Sequence, residues 1–245
     1  MTLNERQNAI LSILKEHRTA NVKKLATKLY VSEATIRRDL TEMKALGLIE
    51  RNHGGAILPE NSEEVSIFIR MTQIAREKEL MASLALPHVP EFHSVFLDSS
   101  STALAFAQRL DLSFKTVVTN NLQTAIQLSK KPNINLVLLG GNVQFNTISS
   151  TGSFTARQIA EFSFDLMISS CAAVEGNETF ERSLEQKEIK RAAFERSRLK
   201  YLLADQSKFT VGGTYRLARL DEYDLVVTDK EPNDTVKSHA KKLIY

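Results

Sequence analysis

Ser32-Glu33-Ala34-Thr35-Ile36-Arg37-Arg38-Asp39-Leu40-Thr41-Glu42-Met43-Lys44-Ala45-Leu46-Gly47 is the stretch that decides how this chain reads. Ser32 suits the start of a helix, because its side-chain oxygen can accept from a backbone N–H left free in the first turn. Gly47 suits the end, where the next residue often needs a positive φ. Between them Ile36, Leu40 and Met43 fall on one apolar stripe, so Thr35, Arg37, Arg38 and Thr41 lie mostly outward. A helix over Glu33–Leu46 that turns two adjacent arginines outward fits nucleic acid. The guanidinium fork can bond a guanine edge or a phosphate in two places at once.

Upstream, Ile10, Leu11 and Leu14 sit at helical spacing between Asn4 and His17, and Asn21 caps a short helix carrying Val22, Leu25, Ala26 and Leu29. Tyr30-Val31 is a tight connection. Downstream, Leu48–Arg51 reads as a strand, Asn52–Gly55 as a turn and Ala56–Leu58 as a second strand. Residues 1–58 are thus expected to form a winged helix-turn-helix domain. The Ser32 cap leaves N–H groups at the helix start open to a phosphate. Gly54-Gly55 lets the wing backbone turn tightly, with Arg51 and His53 beside it.

Charge supports that division. The chain has 245 residues and a formal charge of +3. Residues 1–58 hold ten Lys/Arg against six Asp/Glu, and the remainder 22 against 23. A small cationic module joined to a nearly neutral body suits either a polyanion partner or a plain solvated helical face. The 42% hydrophobic and 25% charged content is that of a globular protein. Cys171 is the single cysteine, which excludes an intrachain disulfide and fits a reducing compartment. The first residues lack the apolar core of a signal peptide, and no apolar run approaches the roughly 20 residues that span a bilayer. A cytoplasmic location without membrane attachment is expected. The five histidines show no ligand spacing with Cys171, so no metal is expected. Neither a Walker loop nor a G-x-G-x-x-G run is present, and no cofactor is expected.

Residues 59–75 are expected to be the linker, polar and acidic from Pro59 to Ser66, and 76–245 the body. Ile67–Leu86 is helical by pattern and ends at Pro87 and Pro90. Strands then follow at Ser94–Leu97, Thr116–Thr119, Ile134–Leu139, Asp165–Ser169, Tyr201–Ala204 and Leu225–Thr228. Helices alternate at Thr102–Leu110, Leu122–Leu128, Gly152–Glu161 and Leu184–Arg198. Continuous apolar strands separated by helices mean an α/β fold, a doubly wound and mostly parallel sheet covered on both faces.

Loops at the carboxyl ends of such strands bind ligands. The first is Asp98-Ser99-Ser100-Ser101-Thr102, before a helix, where hydroxyls and N–H groups either cradle a phosphate or only cap the helix. Asp98 either accepts from sugar hydroxyls or orients the loop. Asn120 follows the second strand. Gly140-Gly141 follows the third, as a close approach to a ligand or a plain turn. Lys187, Glu188 and Lys190 begin a later helix, and Asp205-Gln206-Ser207-Lys208 offers a carboxylate and a lysine.

The whole chain resembles the DeoR family of bacterial transcription regulators. The N-terminal signature is carried by Arg6, Ile10 and Leu14, then by Ser32, Thr35, Ile36, Arg37, Arg38, Asp39 and Leu40. The wing Arg51-Asn52-His53-Gly54-Gly55-Ala56 is also similar. In the body the matching elements are Asp98 with its hydroxyl loop, Thr119-Asn120, Gly140-Gly141, Glu188 with Lys190-Arg191, and Leu203-Ala204-Asp205 with Ser207-Lys208-Phe209. Two segments depart. Ser99-Ser100-Ser101 stands where the family has a glycine, and Ser169–Gly176 where it has a Gly-Ala-Asp-Gly-like run.

The resemblance implies an effector domain like ribose-5-phosphate isomerase. It implies double-stranded operator DNA and a phosphorylated sugar effector as partners, no catalysis, and a homodimer or homotetramer. The DNA set is then Arg6, Ser32, Thr35, Arg37, Arg38, Arg51, His53 and Gly54. The effector set is Asp98, Ser99, Ser100, Ser101, Thr102, Asn120, Gly140, Gly141, Asp205 and Lys208. Asp39 would repel phosphate and is expected to pair within the protein. Two other readings stand beside this one: an active sugar-phosphate isomerase with a DNA-binding arm, and a DNA-binding protein whose body only oligomerises.

Overall fold

The computed structural model describes residues 4–57 and 66–245. Leu58 and residues 59–65 of the expected linker therefore lie outside the described residues. The chain divides into two compact units, Met1–Gln73 and Ile74–Tyr245.

The first unit opens with α1 (Glu5–His17), begun by a reciprocal cap. Asn4 Oδ1 accepts from the Gln7 N–H at 2.8 Å, and Gln7 Oε1 accepts from the Asn4 N–H at 3.2 Å. There follow β1 (Thr19–Asn21), α2 (Val22–Lys28), α3 (Glu33–Ala45), β2 (Glu50–Asn52), β3 (Gly55–Ile57) and α4 (Ile67–Thr72). Ile10, Leu14, Leu25, Ile36, Leu40 and Met43 are fully buried, so the apolar stripes read from spacing do face a core. The wing has three strands in the order β1-β3-β2, one more than the expected hairpin. Thr19–Asn21 is too short and polar to announce a strand. Gly55 is required by it: a Cβ there would stand 2.2 Å from the Ala20 carbonyl oxygen. Leu48 and Ile49, expected to open the wing strand, are buried residues just before β2.

The expected single helix over Ile67–Leu86 is two, α4 and α5 (Ala75–Ala85). Between them Ile74 takes φ 43° and ψ 42°. A β-branched residue rarely enters this left-handed region, so no sequence signal marks the break. The expected linker thus contains a helix.

The second unit begins with α5 and continues as β4 (Ser94–Leu97), α6 (Ser101–Arg109), β5 (Thr116–Thr119), α7 (Leu122–Leu128), β6 (Asn135–Leu138), β7 (Asn142–Gln144), β8 (Ser149–Thr151) and α8 (Ser153–Ala160). It ends with β9 (Phe164–Ser169), β10 (Ala173–Glu175), β11 (Glu178–Glu181), α9 (Leu184–Glu195), β12 (Ser197–Leu203), β13 (Tyr215–Arg219), β14 (Leu225–Val227), α10 (Asp234–His239) and β15 (Leu243–Ile244). Seven strands form one sheet in the order β15-β14-β12-β9-β4-β5-β6, with every pair parallel. Residues alternate between its faces. Val95 and Leu97 join the cluster holding Met81, Phe106 and Leu128, while Phe96 joins that of Ile159, Ile189 and Phe194.

Helix α9 stops at Glu195 and β12 already begins at Ser197, where a longer helix was expected. The hairpin β7-β8 and the antiparallel sheet β10-β11-β13 had no apolar run to announce them. From β4 the strands run outward to β5 and β6, then resume on the other side as β9, β12, β14 and β15. The order reverses between β4 and β9, which is where ligands sit in open α/β sheets.

Candidate functional site

In the first unit, α3 presents the outward face that its spacing predicts. Ser32 Oγ accepts from the Thr35 N–H at 3.1 Å, and the two hydroxyls lie 2.9 Å apart. Ser32, Arg37 and Arg38 are exposed and Thr35 is half-buried. Arg37 donates to Glu33 one turn back at 2.6 Å. Arg38 has no carboxylate partner among the described residues. In the wing His53 and Gly54 are exposed, and Gly54 takes φ +86°, a turn conformation natural to glycine. Arg51 is half-buried beside them.

Arg6, expected either to support the first helix or to reach the DNA backbone, has a partner inside the unit. Its Nε and Nη2 donate to the two Asp39 carboxylate oxygens at 2.5 and 3.0 Å. Asp39 is 3% exposed. A second tie, Gln7 Nε2 to Glu42 Oε2 at 2.8 Å, also joins α1 to α3. The fork of Arg6 is therefore a clamp on the outward-facing helix, and Asp39 finds in it the internal partner expected for it.

In the second unit, the carboxyl ends of the strands carry a buried polar layer. Asp98, at the end of β4, is 1% exposed. It accepts from the Ser100 N–H at 2.9 Å, the Ser100 hydroxyl, the Ser169 hydroxyl at 2.9 Å and the Ser170 N–H at 3.0 Å. Lys190, from α9, lies 3.1 Å from Asp98 and 2.7 Å from Glu181, and donates to the Ser170 carbonyl at 2.8 Å. Burial pushes the Asp98 carboxyl up, but Lys190 and the bonds from Ser100 and Ser170 outweigh it and hold it below its ordinary range. Burial likewise lowers Lys190, yet Asp98 and Glu181 outweigh that and hold its ammonium charged. Asp98 is thus saturated within the protein. Of its two readings, loop orientation is the one the geometry carries.

The hydroxyl loop is also more internal than a free cradle. Ser100 caps α6 through the Ala103 N–H at 3.0 Å while its hydroxyl donates to Asp98. Ser99 donates to Gln186 Oε1 at 2.8 Å, and Gln186 Nε2 donates to Ser149 Oγ at 2.8 Å. Ser101 and Thr102 are buried, and Thr102 makes no side-chain bond among the described residues. The glycine pair serves packing. A Cβ on Gly141 would stand 2.0 Å from Thr155 Oγ1, and that hydroxyl donates to the Gly140 carbonyl at 2.8 Å. What approaches these glycines closely is α8, although Gly141 also borders an open depression with Asn142, Thr151, Gly152, Ser153 and Phe154. Glu188 is exposed on α9, on the side away from Lys190.

Among the described residues of this unit, four buried side-chain atoms have no hydrogen-bond partner. They are Asn120 Oδ1 and Gln123 Nε2 at the end of β5, and Asp205 Oδ2 and Gln206 Oε1 at the end of β12. Asn120, Gln123 and Asp205 are 1%, 2% and 2% exposed, and Gln206 is half-buried. Asn120 is anchored through Nδ2 to the Ser150 carbonyl at 2.9 Å, and Asp205 through Oδ1 to the Ser207 N–H at 3.0 Å. Both of these residues are held while one atom is left over. Lys208, half-buried one turn on, has no carboxylate partner among the described residues. Cys171 is buried, and burial pushes its thiol up to about 12, which rules out a ready thiolate.

Two family models match the chain, a DeoR-like helix-turn-helix domain over residues 6–62 and a DeoR C terminal sensor domain over residues 73–230. The chain belongs to the DeoR family. Similar curated proteins of this family include the HTH-type transcriptional regulator GolR of Listeria innocua, 35% identical over 94% of this chain and 91% of that protein. Another is the glycerol-3-phosphate regulon repressor of Escherichia coli, 31% identical over 95% and 93%. Among solved structures, ribose 5 phosphate isomerase A from Neisseria gonorrhoeae matches at 18% identity with a TM-score of 0.38, over 54% of this chain and 52% of that one. No described helix of this DeoR-family chain is long and apolar enough to cross a membrane. Sequence reading of the DeoR sensor domain missed Gln123 and Glu181. A glutamine in a helix's first turn and a glutamate in a short polar strand carry no signal until the fold buries them.

Proposed function

We propose that this chain is a cytoplasmic repressor of sugar-metabolism genes. Its first unit grips double-stranded operator DNA, and a phosphorylated sugar bound in its second unit changes that grip. The observation that carries the effector half is the set of unpartnered atoms on Asn120, Gln123 and Asp205. Buried polar atoms without partners are costly, and those on either side of a strand-order reversal are the natural partners of ligand hydroxyls. Two acceptors and one amide donor suit a polyhydroxy compound. The Thr102 hydroxyl, the N–H groups opening α6 and Lys208 would take its phosphate. The β4 and β12 ends lie two strand spacings apart, about 10 Å. An extended lysine and a bound phosphate close that gap between them.

The DNA half rests on Arg37, Arg38, Thr35 and Ser32 on α3, with Arg51, His53 and Gly54 on the wing. The names of relatives support repression, one being a glycerol-3-phosphate regulon repressor. A regulatory role without catalysis is supported at Asp98, whose carboxylate is bound to Lys190 and so is not free to act as the base an isomerase needs. Assembly into a homodimer or homotetramer through the second unit is supported by Val143, Phe145 and Phe154, each more than half exposed near the β6 edge of the sheet.

The test is a thermal-shift panel of phosphorylated and free sugars, since a ligand of the native state raises its stability. A shift by at least one phosphorylated sugar, absent with its free form and lost in Asp205→Asn with Gln123→Ala, is the expected result. No shift by any of them would leave the second unit as an oligomerisation body alone. Turnover in a coupled isomerase assay would restore the enzyme reading.

A further inference from the structure

Tyr30 joins α2 to α3 and is 94% exposed. It also takes a positive φ of 54°. Both helices of this pair end in the same way. After α2, the Val31 N–H donates to the Ala26 carbonyl at 3.1 Å and the Tyr30 N–H to the Thr27 carbonyl at 3.4 Å. After α3, the Leu48 N–H donates to the Met43 carbonyl at 2.9 Å and the Gly47 N–H to the Lys44 carbonyl at 2.9 Å. This pattern places one residue in the left-handed region, where glycine is the usual occupant. Helix α3 uses Gly47 there, with φ 66°. Helix α2 uses a tyrosine whose ring packs against almost nothing in the unit.

An aromatic residue at a glycine position carries backbone strain, and here burial does not offset it. Strain with no internal return points to a partner outside the unit. The surroundings say which kind. Lys23, Lys24 and Lys28 on α2 are exposed, and none has a carboxylate partner among the described residues. On the other side of Tyr30 lie the exposed Ser32 and the outward face of α3. An exposed phenol on the turn between a lysine-bearing helix and α3 suits a polyanion as its partner.

We propose that Tyr30 is a DNA-backbone contact, its hydroxyl donating to a phosphate oxygen at the edge of the groove that receives α3. The proposal rests on the reading of the first unit as DNA-binding. A phosphate contact positions the protein and carries no base information. A neutral donor also releases no counterion, so it adds affinity without steepening the salt dependence.

The experiment uses the full chain with Tyr30→Gly and Tyr30→Phe. Affinity is read by fluorescence anisotropy on a duplex selected by the wild type from random DNA, and on an unselected duplex, across a salt series. Melting and sedimentation are measured beside it. Tyr30→Gly is expected to melt no lower than wild type, because it relieves the strain. It should bind both duplexes at least fivefold more weakly, with an unchanged salt slope and unchanged assembly. Tyr30→Phe should show most of that loss. Wild-type affinity in Tyr30→Gly overturns the proposal, as does a loss confined to the selected duplex or a change in assembly. If the wild type binds neither duplex, the DNA-binding reading fails as well, which is a separate result.

Discussion

Replacing Lys190 by methionine tests the polar layer at its centre. The Lys190 side chain is 6% exposed, and its ammonium sits 3.1 Å from Asp98 and 2.7 Å from Glu181 as the cation these two buried carboxylates share. Methionine keeps much of the stem and removes the charge. Breaking a buried ion pair costs about 3–5 kcal/mol, because the partner is left charged and dry. Both Asp98 and Glu181 lose this ion pair, so the upper part of that range is expected. For a unit of this size that corresponds to roughly 6–20 °C in Tm.

The pH dependence gives the sign. The Asp98 carboxyl is held below its ordinary 3.8 by Lys190 and its hydrogen bonds, against burial. A depressed carboxyl contributes stability above its unfolded pKa and loses it as pH falls through the folded pKa. Without Lys190, burial raises the carboxyl, which then takes a proton on the way down from neutral. The deficit of Lys190→Met should be full at pH 7 and smaller at pH 5. Urea unfolding followed by circular dichroism at both values measures it. A deficit under about 1 kcal/mol at pH 7, or one that grows toward acid, would refute the reasoning.

Arg38→Ala should weaken a selected duplex by about 1–3 kcal/mol and unselected DNA less, with no change in melting. Arg6→Ala should instead lower the melting of the first unit, because the buried Asp39 loses its guanidinium partner. Cys171, with its thiol raised to about 12, should resist alkylation at pH 8 in the native chain and react once urea unfolds it. Phe145→Asp with Phe154→Asp should lower the sedimentation coefficient if the β6 edge is where copies meet, and a wild-type value would place the interface elsewhere.

The parts of the fold legible in the sequence are those where one period governs a whole element. Ile36, Leu40 and Met43 reveal α3, with Ser32 and Gly47 marking its ends, and the apolar runs at β4, β5, β9 and β14 reveal a parallel sheet. Strands β1, β7, β8 and β10 are three residues each, and their pairing comes from tertiary context alone. Ile74 breaks a helix by adopting a conformation its side chain disfavours, which spacing cannot foretell. In the site, an acidic residue at a strand end reads as a ligand group. Only the fold brings Lys190 to Asp98 and turns it into a loop anchor. Arg6 likewise reads from the signature as a helix support or a DNA residue, and only the fold shows Asp39 against it. Gln123 became visible through the opposite feature, a buried donor with nothing to bond.

The central claim is that the two units communicate through a phosphorylated sugar. Its most direct test is the release of a fluorescent, wild-type-selected duplex from the full chain, followed by anisotropy while phosphorylated sugars and their free forms are titrated in turn. At least one phosphorylated sugar should change the DNA affinity and its free form should act far more weakly, with the response lost in Asp205→Asn while DNA binding remains. DNA affinity indifferent to every phosphorylated sugar, or equally sensitive to the free ones, would contradict it.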